Sequence, residues 1–317
     1  MSETTEKIWA EIDARRAAAG AEGEASADRE PADDTGEKAA GSGPGQIAIP
    51  QLIIKGARKA IVEFDLLAPG DRVLIGLSGG KDSTLLLYVL AHLARHIPWK
   101  VELAAMHIDL GFLPADQADY RILERAAREN GVPFFVERQD LSEDILHNEE
   151  QNPCSRCSYW RRALIHNSAR RQGFNKVAFA HHLDDAVETY LMGLLYSGQL
   201  GTFMPKTYLD RTGVTVIRPF AYIRERDIAG AVRKLGIEVM KSACPLDGYT
   251  HRTKVKELIH GLCRENPMVF DHLVSAMRQG KRQHLWPEPV ERKILRQKNL
   301  EFWRPKAAEV DGEIGGE

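Results

Sequence analysis

The stretch that decides the fold is Ser78-Gly79-Gly80-Lys81-Asp82-Ser83. It follows the short apolar run Arg72-Val73-Leu74-Ile75-Gly76-Leu77 and precedes a Leu-rich segment, 84–95, that has no Gly or Pro. That order predicts a strand, a tight glycine turn and the start of a helix. Two adjacent glycines let the backbone approach an anion closely, and the N–H groups of the helix's first turn point at it. Lys81 adds a positive charge; Ser78 and Ser83 add hydroxyl donors, and Asp82 a carboxylate. The spacing matches neither G-x-x-x-x-G-K-[ST] nor G-x-G-x-x-G, so those phosphate-binding geometries do not transfer.

Working outward, an amphipathic helix over 52–67 precedes the first strand, with apolar residues at 53, 54, 57, 60, 61 and 64. After the turn come helix 82–95, strand 100–107, helix 116–130 closed by Gly131, and strand 133–137. Helix 158–171, strand 176–180, helix 184–196, strand 214–217, helix 224–235 and strand 237–240 continue the alternation. Such a rhythm predicts an α/β fold: a Rossmann-like, mostly parallel sheet with helices on both faces. Beyond residue 250 only helices are expected, ending in a basic helical tail with Arg292, Lys293, Arg296 and Lys298. The organisation read here is a disordered acidic extension over 1–46, a nucleotide-binding domain over 47–250, a helical carboxyl extension over 251–304 and a disordered tail over 305–317.

A chain of 317 residues with 43% apolar content can bury a full core. No stretch is apolar enough for a membrane span, and the first twenty residues mix charges with alanines, unlike a secretory signal. Four unevenly spaced cysteines fit reduced thiols or metal ligands better than a disulfide framework, so a cytoplasmic location is expected. The net charge of −2 conceals an asymmetry. Residues 1–46 carry 5 basic and 11 acidic side chains, and 305–317 carry 1 and 4, which leaves the body basic. A basic body is compatible with a polyanionic partner.

Ligands of open parallel sheets bind beyond the carboxyl ends of the strands. Three polar clusters fall there: Ser78–Ser83, then His107 and Asp109, then His181-His182-Leu183-Asp184-Asp185. Asp184 is also placed to N-cap the following helix. A further stretch, Cys154-Ser155-Arg156-Cys157-Ser158-Tyr159-Trp160-Arg161-Arg162, sets two sulfurs at a helix start, where dipole and arginines favour thiolates. Cys244 follows strand 237–240 and reaches the same edge, whereas Cys263, inside a late helix, reads as an apolar thiol. Three thiolates leave one position open, which suits an iron–sulfur cluster with an unliganded iron or a catalytic zinc.

The hexapeptide Ser78–Ser83 resembles the PP-loop signature of the ATP pyrophosphatases, which cleave ATP between the α and β phosphates. Together with Cys154-Ser155-Arg156-Cys157, Arg161-Arg162, His181-His182-Leu183-Asp184-Asp185 and Val216-Ile217-Arg218-Pro219-Phe220, the chain resembles the tRNA 2-thiocytidine synthetase family over about residues 50–280. The resemblance implies the adenine nucleotide α-hydrolase-like PP-loop fold and an ATP-dependent tRNA sulfurtransferase. It implies that ATP, with Mg²⁺, adenylates the C2 oxygen of cytidine 32 in the anticodon loop before sulfur replaces it. It implies a [4Fe-4S] cluster on Cys154, Cys157 and Cys244, although the usual C-x-L-C-G around the third cysteine is here Cys244-Pro245-Leu246-Asp247-Gly248. Ser78, Gly79, Gly80, Lys81, Asp82, Ser83, His107, Asp109 and His181 fall to the nucleotide. Lys81, Asp185 (proton transfer or Mg²⁺) and Arg161 (adenylate) fall to catalysis. The partners implied are tRNA and a sulfur donor, a cysteine desulfurase or sulfide, with no membrane; a homodimer is compatible. RNA contact is expected from Arg161, Arg162, Arg170, Arg171, Lys176, Arg211, Arg218, Arg252, Lys254 and Lys256, with Tyr159 and Trp160 as stacking partners or as core aromatics. The rival readings are a 2-thiouridine-forming thiolase, a sulfur-free ligase of the lysidine-synthetase type, and a zinc-stabilised nucleotide-binding module.

Overall fold

The computed structural model describes residues 48–146, 153–240, 251–278 and 291–302. The acidic extension, the carboxyl tail and Cys244 lie outside the described residues.

Ten helices and six strands are formed among the described residues: α1 (Gln51–Glu63), β1 (Arg72–Gly76), α2 (Lys81–His96), β2 (Glu102–Asp109), α3 (Arg121–Glu129), β3 (Phe134–Arg138), α4 (Ser142–Leu146), α5 (Pro153–Arg171), β4 (Lys176–Ala178), α6 (Leu183–Ser197), β5 (Lys206–Leu209), β6 (Val214–Ile217), α7 (Glu225–Leu235), α8 (His251–Glu265), α9 (Val269–Arg278) and α10 (Arg292–Phe302). The strands form one sheet in the order β3-β2-β1-β4-β6-β5. All neighbours are parallel except β5 and β6. Leu74 at the centre of β1 pairs with Ala104 on one side and Val177 on the other.

Strand alternation splits the core between the two faces of the sheet. Val73 and Ile75 pack with Ile53 and Ala57 of α1, Leu85, Leu86 and Val89 of α2, and Ile228 and Val232 of α7. α5 lies against β2, β4 and β6 and contributes the buried Ile165 and Ala169. α2 is buried nearly all round because α1, α3, α7 and the sheet surround it. A smaller core joins α6, α8 and α9 through Val187, Leu191, Val255, Ile259 and Phe270, with the half-buried Cys263 packed against it. Cys263 is therefore an apolar packing thiol, as its sequence context suggests.

Two expectations are corrected. Residues 237–240 do not form a strand, and their tie to the loop after β1 is one bond, Met240 N–H to Gly79 O at 2.9 Å. The place beside β6 that a strand after α7 would take is filled by β5, which pairs with β6 as an antiparallel hairpin. β5 escapes a sequence reading because it is four residues long and alternates between exposed and half-exposed positions. In addition, α3 begins at Arg121 rather than near 116, since residues 115–117 form a turn.

Lys176, expected to contact RNA, is buried at the opposite, amino end of β4. Its Nζ lies 2.6 Å from Asp71 Oδ2 and donates to Leu66 O at 2.7 Å. Asn175 Nδ2 donates to Asp71 Oδ1 at 2.8 Å, and its own Oδ1 accepts from Arg72 N–H. This network pins the starts of β1 and β4 together. Removing one member of a buried pair leaves the other charge unpaired. Lys176→Met is predicted to lower unfolding stability by about 3–5 kcal/mol in denaturant titration while leaving tRNA affinity of the folded protein unchanged.

Candidate active site

The chain runs from β1 outward to β2 and β3, then returns to place β4 on the other side of β1. The connections leaving β1 and β4 therefore diverge, and a crevice opens at their carboxyl ends. A cavity of about 410 Å³ occupies it, lined by Gly76, Leu77 and Ser78 after β1 and by Phe179, Ala180 and His181 after β4. Gly76 lets these walls approach: a Cβ there would sit 2.9 Å from the Phe179 ring and 3.1 Å from Ile165.

Between β1 and α2 the loop is held by its own side chains. Ser83 Oγ accepts from Ser78 N–H at 3.1 Å, lies 3.0 Å from Ser78 Oγ and donates to Gly80 O at 3.1 Å. Gly79 adopts φ +91°, and a Cβ on it would meet Met240 Cβ at 2.9 Å. Glycine is therefore required there on both conformational and steric grounds. Gly80 caps α2 without a side chain, so the first-turn N–H groups have no partner from within the helix or a capping side chain. Ser78, Asp82 and Ser83 line the cavity, and Asp82 Oδ1 is buried with no hydrogen-bond partner. Gly79, Gly80 and Lys81 do not line it.

Lys81 Nζ instead contacts Glu225 Oε1 at 3.1 Å and Asp82 Oδ2 at 3.2 Å. Glu225 also pairs with Lys256 of α8. Burial pushes the Glu225 carboxyl up, but the Lys256 and Lys81 ammonium groups outweigh it and hold its pKa down to about 2. Burial lowers Lys81, yet Asp82 and Glu225 leave its pKa raised. Glu225 carries no local sequence signal, because its role depends on α7 starting beside a loop 144 residues earlier.

The opposite wall is the start of α5. Cys154, Cys157, Ser158, Arg161, Arg162 and Ile165 line the cavity; Cys154 is exposed and Cys157 half-exposed. The C-x-x-C pair thus sits at the start of the helix, Cys154 in its first turn and Cys157 one turn on. Arg161 Nε is buried with no hydrogen-bond partner. Tyr159 is 60% exposed, which excludes the core-aromatic reading for it, and its ring meets that of Trp160 edge-on at 5.4 Å.

His181 and Asp185 line the cavity from the start of α6. The cap of α6 is His182, not Asp184: His182 Nδ1 accepts from Asp185 N–H and Asp185 Oδ2 accepts from His182 N–H, a reciprocal capping box. Asp184 is free to bind Arg224 Nε at 3.1 Å and Glu225 N–H at 2.8 Å. Arg252 of α8 holds Asp185 at 2.9 Å and the buried Glu188 at 3.2 Å, whose carboxyl is pushed up by burial despite that partner. Burial, and then the charge of Arg218, lower His181 to about 4; burial, then Arg162 and Arg218, lower His166 likewise to about 4. His181 Nδ1, His166 Nε2 and Arg218 Nε are all buried with no hydrogen-bond partner.

His107 and Asp109 lie on the face of β2 opposite to Met106 and Ile108, and the latter pair lines the cavity. His107 Nδ1 bonds to Leu77 O at 2.8 Å, which props the entry to the loop. Asp109 binds Arg138 at 2.5 Å, Gly111 N–H at 2.9 Å and the Tyr120 hydroxyl. Several cations expected to meet RNA are engaged internally: Arg171 with Glu137, Arg252 with Asp185 and Lys256 with Glu225.

Residues 54–259 match the PP-loop domain family. A tRNA-cytidine(32) 2-sulfurtransferase of Citrifermentans bemidjiense is 37% identical over 239 residues, covering 74% of this chain and 92% of its own. One from Geobacter metallireducens is 35% identical over 246 residues, covering 76% and 94%. The solved U34-tRNA thiolase NcsA from Methanococcus maripaludis, with its [4Fe-4S] cluster, shares the fold at a TM-score of 0.60 and 23% identity, over 72% of this chain and 79% of that one. With the phosphate loop, the C-x-x-C helix and the His181–Asp185 cap gathered on one crevice, the chain belongs to the tRNA-cytidine(32) 2-sulfurtransferase family of PP-loop proteins.

Proposed function

We propose that this chain is an ATP-dependent tRNA sulfurtransferase that converts cytidine 32 of the anticodon loop to 2-thiocytidine. The observation that carries the reading is that one cavity is lined by Ser78, Asp82 and Ser83 of the phosphate loop, by Cys154 and Cys157, and by Arg161, His181 and Asp185. The relatives named for this reaction support the choice of base.

A carbonyl oxygen on a pyrimidine is a poor leaving group, so it is first made into one. The C2 oxygen attacks the α-phosphate of ATP and pyrophosphate departs. Sulfide then attacks C2 and AMP carries the oxygen away. The hydroxyls of Ser78 and Ser83 and the first-turn N–H groups of α2 hold the phosphates. Lys81 exchanges its carboxylate partners for phosphate oxygens and offsets charge developing on pyrophosphate. Asp82 and Asp185 present carboxylates suited to Mg²⁺ arriving with the nucleotide, and the unpartnered Nε of Arg161 faces the adenylate. Tyr159 stacks the extruded base.

The donor set suits a 4Fe-4S cluster: two thiols one helical turn apart line the cavity, and thiolates are the ligands such clusters take. Cys154 and Cys157 would hold it together with Cys244. When bound, such a cluster supplies the iron that carries sulfide. The sulfur donor is a cysteine desulfurase or sulfide itself, a homodimer is compatible with this scheme, and the reducing cytoplasm suits exposed thiols. Among the described residues no helix is long and apolar enough to cross a membrane. The catalytic domain spans 47–250, with 251–304 a helical extension whose α8 supplies Arg252 and Lys256.

The deciding experiment incubates anaerobically reconstituted protein with ATP, Mg²⁺, sulfide and tRNA, then digests the tRNA. The expected product is 2-thiocytidine; 2-thiouridine alone, or AMP without a thionucleoside, overturns the reading. Cys154→Ala and Cys157→Ala are expected to lose iron, and Cys263→Ala to keep it. Lys81→Ala should lower AMP formation about a hundredfold with iron content unchanged, and ADP as product would argue against α-phosphate chemistry. Because His166 and His181 titrate near 4 in the fold and near 6.5 when unfolded, the unfolded chain binds more protons between those values. Stability should therefore be fully present above pH 6.5 and fall as pH drops towards 4, and His166→Gln should flatten that slope in denaturant midpoints.

A further inference from the structure

We propose that α10 is an RNA-binding arm that grips the phosphate backbone of the tRNA; the inference rests on the tRNA reading above. α10 carries Arg292, Lys293, Arg296 and Lys298 within its first seven residues, with no carboxylate among them. Among the described residues none of the four has an ion-pair partner, in contrast to Arg171, Lys176, Arg252 and Lys256 in the body. Phosphate neutralisation needs cations that are not already neutralised, and α10 gathers such cations on one element.

Every side chain described in α10 is exposed, including Ile294 at 45%, Leu295 at 56% and Leu300 at 63%. An eleven-residue helix that buries none of its described side chains is marginal in water, which points to a partner that covers it. The charge distribution selects that partner. Arg292 and Arg296 are four apart and share a face, but Lys298 lies between Ile294 and Leu295, and Leu300 lies one turn beyond Arg296. The helix thus has no uninterrupted apolar stripe to lay on a bilayer. Cations on more than one side suit a curved polyanion whose phosphates reach around the helix.

The test uses the full-length protein with Arg292→Gln, Lys293→Gln, Arg296→Gln and Lys298→Gln combined, since Gln keeps helix propensity. Binding of labelled tRNA is measured from 50 to 300 mM salt, alongside ATP binding and binding to phosphatidylserine vesicles. The expected result is tRNA binding weaker by about a thousandfold or more at 50 mM salt, a gap that narrows as salt rises because the log–log salt slope is shallower by about 3, with ATP affinity unchanged. Equal tRNA affinity and slope in both proteins overturns the arm while leaving the sulfurtransferase reading intact. No tRNA binding by the unaltered protein overturns both. Vesicle binding that only the unaltered protein shows, with tRNA binding equal, overturns the arm in favour of a membrane surface.

Discussion

One constraint governs the rest of the molecule: two neighbouring parallel strands, β1 and β4, whose onward connections depart in opposite directions. The crevice between those departures cannot be filled by either connection. The other ends of the same strands are tied together by Lys176, Asp71 and Asn175, which fixes the register of the pair that frames it. Everything chemical in the site is a side chain borrowed from what surrounds that gap. The first turn of α2 brings backbone N–H groups, the first three turns of α5 bring thiols and arginines, and the start of α6 brings His181 and Asp185 to the rim. Three helix starts converge there, and their dipoles add a positive bias that suits phosphate and thiolate alike.

Within the site the charges are arranged around burial. The two histidines are kept neutral by burial and by arginines, while Lys81 and Lys256 share one carboxylate, Glu225. In the proposed reaction a triphosphate would meet cations that already have partners, so its binding would exchange one anion for another rather than simply add charge, with Glu225 giving up Lys81.

The phosphate loop, the thiol helix and the His181–Asp185 cluster were legible because each is written in local chemistry: glycines where the backbone must turn, sulfurs three residues apart, carboxylates just inside a helix start. What escaped depends on occupancy elsewhere. Residues 237–240 have strand composition but no vacant neighbour, since β5 holds the place, and β5 itself is too short to declare its pairing. His182 rather than Asp184 caps α6 because the helix starts at Leu183, which leaves Asp184 inside the first turn, where Arg224 from forty residues later binds it. Lys176 reads as a surface cation until Asp71 is seen beneath it. His107 and Asp109 sit at the right strand end, but on the face of the pleat turned away from the cavity.

The hairpin that displaced the expected strand also settles how the sheet ends. Beyond β5 no further strand pairs among the described residues, so its outer peptide groups form an open edge of the kind that invites other chains to add on. This edge is only four residues long and is bracketed by the exposed Lys206, Asp210 and Arg211, with Pro205 just before it. Shortness, charge and proline discourage runaway strand addition. A protein that presents Cys154 and Cys157 beyond the carboxyl ends of its strands is thereby guarded against strand addition at this outer edge.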